Sequence, residues 1–169
     1  AVRTIFNFLG PLTNPAGATH QIIGVSDPGY LEVMAEALAR LGGQSALVVS
    51  SEDGLDEISV SAPTRVAELR AGRIERFTVT PEEFGVERAP VEELGAGTPE
   101  ENAAITRRVL AGEPGAARSI VIVNAAAAIY AAGKAESMRD AAGVAAEAID
   151  SGAALDLLER FVARTHELA

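Results

Sequence analysis

A chain of 169 residues that is 48% apolar has material for one ordinary core, and a chain of this size buries roughly 70% of its unfolded surface. Its 24 acidic against 14 basic side chains leave a formal charge of −10, and beyond the short Arg107-Arg108 pair there is no basic stripe of the kind a nucleic-acid backbone requires. The absence of cysteine removes disulfides, thiolate metal sites and thiol nucleophiles together.

The opening residues Ala1 to Phe6 show no basic leader ahead of an apolar run, so no export signal is read and the cytoplasm is the expected compartment. Gln21 to Val25 is a short apolar run bounded by turn residues, which predicts a buried strand. A helix follows: Asp27 can cap it, Pro28 suits its first turn, and Leu31, Met34, Leu38 and Leu41 recur at helical spacing until Gly42-Gly43 stops it. Ser45 to Ser50 predicts a second strand, and strand, helix and strand in that order form a parallel crossover unit. Arg65 to Arg70 and Ile74 to Thr80 alternate apolar and polar residues about Ala71-Gly72-Arg73, the pattern of a β-hairpin.

The second half reads as helical. Thr98-Pro99-Glu100-Glu101 is a capping-box pattern that starts a helix running through Leu110. Three more helices are predicted over residues 117–132, 137–149 and 154–166, separated by Gly133 and by Ser151-Gly152. The most apolar stretch, Ser119 to Ala132, is too short to span a bilayer and contains Asn124 and Tyr130, so it is expected to be a buried helix. No repeat or linker divides the chain. The expected architecture is α/β: residues 1–169 as a single domain, with a mostly parallel sheet that includes a β-hairpin and is flanked by helices.

Several motifs, in order, carry a resemblance. They are Arg3-Thr4-Ile5-Phe6-Asn7-Phe8-Leu9-Gly10-Pro11-Leu12-Thr13-Asn14-Pro15-Ala16, the strand Gln21 to Val25, Gly54-Leu55-Asp56-Glu57-Ile58-Ser59, Pro81-Glu82-Glu83-Phe84-Gly85, Asn102-Ala103-Ala104 and Val123-Asn124-Ala125-Ala126-Ala127. Together they resemble the C-terminal larger portion of the anthranilate phosphoribosyltransferases, enzymes of tryptophan biosynthesis. The specificity lies in the order and spacing, since a two-residue acidic pair alone is weak evidence.

The resemblance implies a glycosyltransferase reaction: the amine of anthranilate displaces pyrophosphate from phosphoribosyl pyrophosphate (PRPP), giving N-(5-phosphoribosyl)anthranilate. It implies Mg2+ as cofactor, held by Asp56 and Glu57. The chemistry suits those residue types, because magnesium takes oxygen ligands and is commonly bound by one or two carboxylates plus substrate phosphates. Adjacent acids in an acidic protein are otherwise ordinary solvated loop charges. Gly10 and Pro11 are implied to line the channel for the aromatic acid; by themselves, in a stretch running to Gly17, they read as turn chemistry. Arg3 could attract a carboxylate and Asn7 could hydrogen-bond a substrate, but a structural role is expected for both. His20 and His166 invite no catalytic role, and no catalytic residue is assigned.

The resemblance also implies parts that lie upstream of Arg3: a glycine-rich loop and a lysine-containing loop that bind PRPP. Gly42-Gly43 reads as a helix stop and the single lysine, Lys134, follows Gly133 between helices. The sheet is therefore expected to be incomplete, the chain alone inactive, and the exposed edge a cause of homo-oligomer formation. Two other readings share the fold. A relative of the pyrimidine nucleoside phosphorylases fits the Arg3 to Ala16 motif less well, and a noncatalytic module for nucleic acid is opposed by the charge of −10.

Overall fold

The computed structural model describes residues 6–95 and 97–168, with residues 6–8 described in backbone only. The elements are α1 (Phe6–Leu12), β1 (His20–Gly24), α2 (Leu31–Arg40), β2 (Ser45–Ser51), β3 (Thr64–Arg70), β4 (Arg73–Val79), α3 (Pro99–Leu110), α4 (Ala116–Ala131), α5 (Met138–Asp150) and α6 (Ala153–Leu168). Every predicted strand and helix of the sequence reading is present, with boundaries shifted by one or two residues, except that α2 begins at Leu31, three residues after the expected start at Pro28, because residues 28–30 form a 3-10 turn.

The strands form one sheet in the order β1-β2-β3-β4. The pair β1–β2 is parallel, as the crossover through α2 requires, with Gly24 opposite Val49. The pairs β2–β3 and β3–β4 are antiparallel. The sheet is thus mixed, which corrects the expectation of a mostly parallel one. The cause is the connection from β2 to β3: residues 52–63 contain no helix, and without a crossover element a strand that re-enters beside its predecessor must run the other way. At the hairpin, Ala71 (φ 50°) and Gly72 (φ 76°) are both left-handed, the two-residue primed turn that matches the twist of the flanking strands.

Pleating sorts the apolar side chains onto two faces. Ala46 and Val48 of β2 join Ile23, Leu31, Met34, Ala35 and Leu38 in a cluster under α2. Leu47 and Val49 face the other way, into a larger cluster with Val66, Val123, Ala126, Ala127, Ala141 and Ala145 beneath α4 and α5. With helices on both faces, all seven residues of β2 are buried. Alanines on α4 and α5 allow close helix approach at little entropic cost. By contrast α6 buries none of its residues, and its Leu157 and Phe161 are 59% and 64% exposed.

Local chemistry explains the helix starts. Asp27 accepts from the Gly29 amide and caps a short 3-10 turn, Pro28–Tyr30, that leads into α2. Thr98 and Glu101 form the reciprocal capping box foreseen for α3, and Ser137 caps α5.

Candidate functional site

The carboxyl ends of the parallel strands β1 and β2 lie side by side, and the loop of residues 52–63 leaves from there. In open α/β sheets this edge is where ligands gather. Asp56 and Glu57 sit on that loop, both exposed. No hydrogen bond or ion pair among the described residues uses either carboxylate.

Four constraints hold the backbone beneath them. On the first side Gly24, the last residue of β1, passes so close to the Asp56 carbonyl that any Cβ would collide with it. Below, Asp53 is spent on the loop itself: the hydroxyls of Ser59 and Ser61 donate to its Oδ2, and the Leu55 amide donates to Oδ1 at 3.3 Å. From the far side Asn124 of α4 reaches across, its Oδ1 accepting from the Ile58 amide at 2.9 Å and its Nδ2 donating to the Ile58 carbonyl at 2.9 Å. The buried Ser59 amide donates to Thr64 Oγ1, which closes the loop onto the start of β3.

Electrostatics separates Asp53 from Glu57. Burial alone would raise the Asp53 carboxyl, but hydrogen bonds from Ser51, Ser59, Ser61 and the Leu55 amide outweigh it and bring the group down to about 2. The Glu57 carboxyl moves up instead, first through burial and then through the neighbouring charge of Asp56. A cation placed there would relieve that repulsion. The described residues contain no group of three or more His, Cys, Asp or Glu side chains able to hold a metal. A zinc-type cage is therefore excluded among them, whereas two adjacent carboxylates fit magnesium, which leaves most of its sphere to water and phosphate oxygens. Beside the pair runs a groove of about 530 Å³, lined by Leu55, Glu57, Leu94, Asn102, Ile105 and Ile120 among others.

The other sequence candidates fall elsewhere. Gly10 and Pro11 lie in α1, whose helical turns continue to Leu12, so the expected turn begins only at Thr13. Pro11 removes one intrahelical bond from this two-turn helix, and Leu12 packs against the cluster under α2. No described hydrogen bond links Gly10 or Pro11 to the loop of Asp56 and Glu57. Arg3 and the side chain of Asn7 lie outside the described residues. Lys134 follows α4, His20 opens β1 and His166 occupies the last turn of α6. Sequence reasoning gave no role to Gly24, Asp53 or Asn124. Only Asn124 carried a usable signal, as the lone polar residue in the run from Ile120 to Ala128, where a polar group must find a partner.

Fold and site together define an α/β domain that presents a paired carboxylate, on a braced loop, at the carboxyl edge of its sheet. Residues 1–155 match the family described as "Glycosyl transferase family, a/b domain", and the chain belongs to that family. It is 52% identical to an anthranilate phosphoribosyltransferase of Desulfatibacillum aliphaticivorans over 166 residues, covering 98% of this chain and 49% of the relative. It is 51% identical to the enzyme of the same name from Methanobrevibacter smithii, covering 98% and 50%. Among solved structures, anthranilate phosphoribosyltransferase from Thermus thermophilus superposes with a TM-score of 0.89 at 49% identity, over 96% of this chain and 48% of that one. The Saccharomyces cerevisiae enzyme in complex with PRPP and Mg gives 0.85 at 28% identity, over 95% and 46%. The chain spans about half the length of the curated relatives it matches.

Proposed function

We propose that this domain supplies the metal-holding part of an anthranilate phosphoribosyltransferase, the enzyme that moves phosphoribose from PRPP to anthranilate and releases pyrophosphate. The observation that carries the reading is the exposed Asp56-Glu57 pair on a loop braced at the carboxyl edge of β1 and β2. Asp56 and Glu57 would hold Mg2+, whose positive charge would offset the negative charge that collects on departing pyrophosphate. The two residues supply hard oxygen donors and an open coordination sphere, and their braced backbone spares the reaction a reorganisation cost. Gly10 and Pro11 are assigned to the anthranilate channel, on the strength of the motif from Arg3 to Ala16. A cytoplasmic, homo-oligomeric protein goes with the same reading.

The 169-residue chain by itself should not turn over, since its own sequence offers neither a glycine-rich phosphate loop nor a lysine placed to serve one. A chimera tests the assignment. Residues 1–169 replace the corresponding segment of the Desulfatibacillum relative, and formation of N-(5-phosphoribosyl)anthranilate is measured with Mg2+, PRPP and anthranilate. The chimera should be active and the isolated chain silent, and Asp56→Asn with Glu57→Gln should reduce the chimera's rate by about 100-fold or more. Normal turnover by the isolated chain, or full activity of the doubly substituted chimera, refutes the reading.

A further inference from the structure

Asn124 stands out from its surroundings. It is the single polar side chain in the run from Ile120 to Ala128 of α4, a helix whose Ile122, Val123, Ala126 and Ala127 are buried against the sheet. A half-buried amide in such a place could be satisfied locally by its own helix, and one of its bonds does go to the Ile120 carbonyl at 3.0 Å. The other two do not. They reach a residue 66 positions away and engage both the amide and the carbonyl of Ile58, as a neighbouring strand would.

Ile58 directly follows Glu57, and its side chain is fully buried. A loop of this length is ordinarily among the more mobile parts of a domain. Here its backbone is tied, one residue beyond the acidic pair, to a helix packed into the core. We propose that Asn124 is a positioning residue for the site: its carboxamide locks the Ile58 backbone so that Asp56 and Glu57 project together toward a divalent cation carrying a diphosphate. The inference rests on the metal reading of that pair. Groups that hydrogen-bond metal ligands directly affect ion affinity about 10- to 100-fold in other sites, and Asn124, acting one residue away through the backbone, is expected at the low end of that range. The hydrogen bonds of Asn124 go to the Ile58 and Ile120 backbone and to neither carboxylate of the pair.

The test uses the 169-residue chain, Mn2+ and inorganic pyrophosphate, read by amide-resolved NMR. Two quantities come from each sample: the hydrogen-exchange rate of the Ile58 amide, and the Mn2+ concentration that half-broadens the amides around Asp56 and Glu57. In Asn124→Ser, Ile58 exchange should rise about tenfold beyond any rise at Val48 in the core, and the Mn2+ midpoint should rise about tenfold. A merely structural asparagine would move Val48 and Ile58 alike and leave the midpoint in place. Asn124→Asp keeps the acceptor for the Ile58 amide and loses both donors; it should fall between the two in exchange, and it serves where the serine variant does not fold. If Asp56→Asn and Glu57→Gln raise the midpoint while neither Asn124 variant does, the inference is overturned and the metal reading stands. If the acidic variants leave the midpoint unchanged, the metal reading is overturned, and this inference with it.

Discussion

Replacing Gly24 with alanine perturbs the site without touching a carboxylate. The added methyl carbon would collide with the Asp56 carbonyl oxygen and lie 2.5 Å from its carbonyl carbon. Ordinary contact between carbon atoms is about 3.5 Å and the carbonyl oxygen is nearer still, so the two backbones must part by more than about 1 Å. Neither side yields cheaply. Gly24 is fixed in β1 opposite Val49, and the next amide, that of Val25, donates to the Val49 carbonyl at 2.9 Å. Asp56 is two residues from the Ile58 backbone that Asn124 holds. Overpacking of this kind costs about 1–3 kcal/mol, and loosening two hydrogen bonds adds about 1 kcal/mol each if both are lost. A net loss of about 2–3 kcal/mol lowers the midpoint of a domain this size by about 5–10 °C. Thermal unfolding followed by circular dichroism measures it. Gly143→Ala is the contrast, because that glycine lies inside α5 with nothing within 4 Å of a new Cβ, and alanine there should raise stability by about 0.5–1 kcal/mol. A Gly24→Ala midpoint equal to that of the unsubstituted chain would refute the argument that the strand and loop are in backbone contact.

Two further outcomes are expected. Asp53 titrates at about 2 in the folded chain against an ordinary 3.8, so the folded state binds its proton less readily than the unfolded state. Its stabilising contribution is therefore complete above about pH 4 and disappears as the pH falls through 2. The face-value shift corresponds to about 2.5 kcal/mol, but the side chain is largely exposed and water screens it, so about 1 kcal/mol is expected. Asp53→Asn should thus be less stable than the parent by that amount at pH 7 and equal to it near pH 2 in denaturant titrations. An unchanged gap across that window would sink the assignment. Light scattering of the isolated chain should show self-association that rises with concentration, because β1 and β4 are unpaired edges of the described sheet and α6 exposes Leu157 and Phe161. A monomer throughout the micromolar to millimolar range would contradict it.

The sequence by itself determined the local elements. Leu31, Met34 and Leu38 at helical spacing and the alternation about Ala71-Gly72 are short-range signals. So are the Thr98 capping box and the apolar run of β2, and each formed its element as read. The motif order also identified the family, and with it the acidic pair, although two adjacent carboxylates have no local physics that distinguishes a ligand from a solvated charge. Tertiary structure alone decided the rest. Whether β3 ran parallel or antiparallel to β2 depended on where the loop of residues 52–63 returned the chain, and no propensity within that loop encodes a direction. The partners in the brace under Asp56 and Glu57 were equally unreadable, even though Asn124 stood out as a polar residue in an apolar run: Gly24 lies 32 positions before Asp56 and Asn124 lies 66 after Ile58. Contacts between residues so far apart carry no periodicity, and they arise only once the sheet and α4 pack on one another.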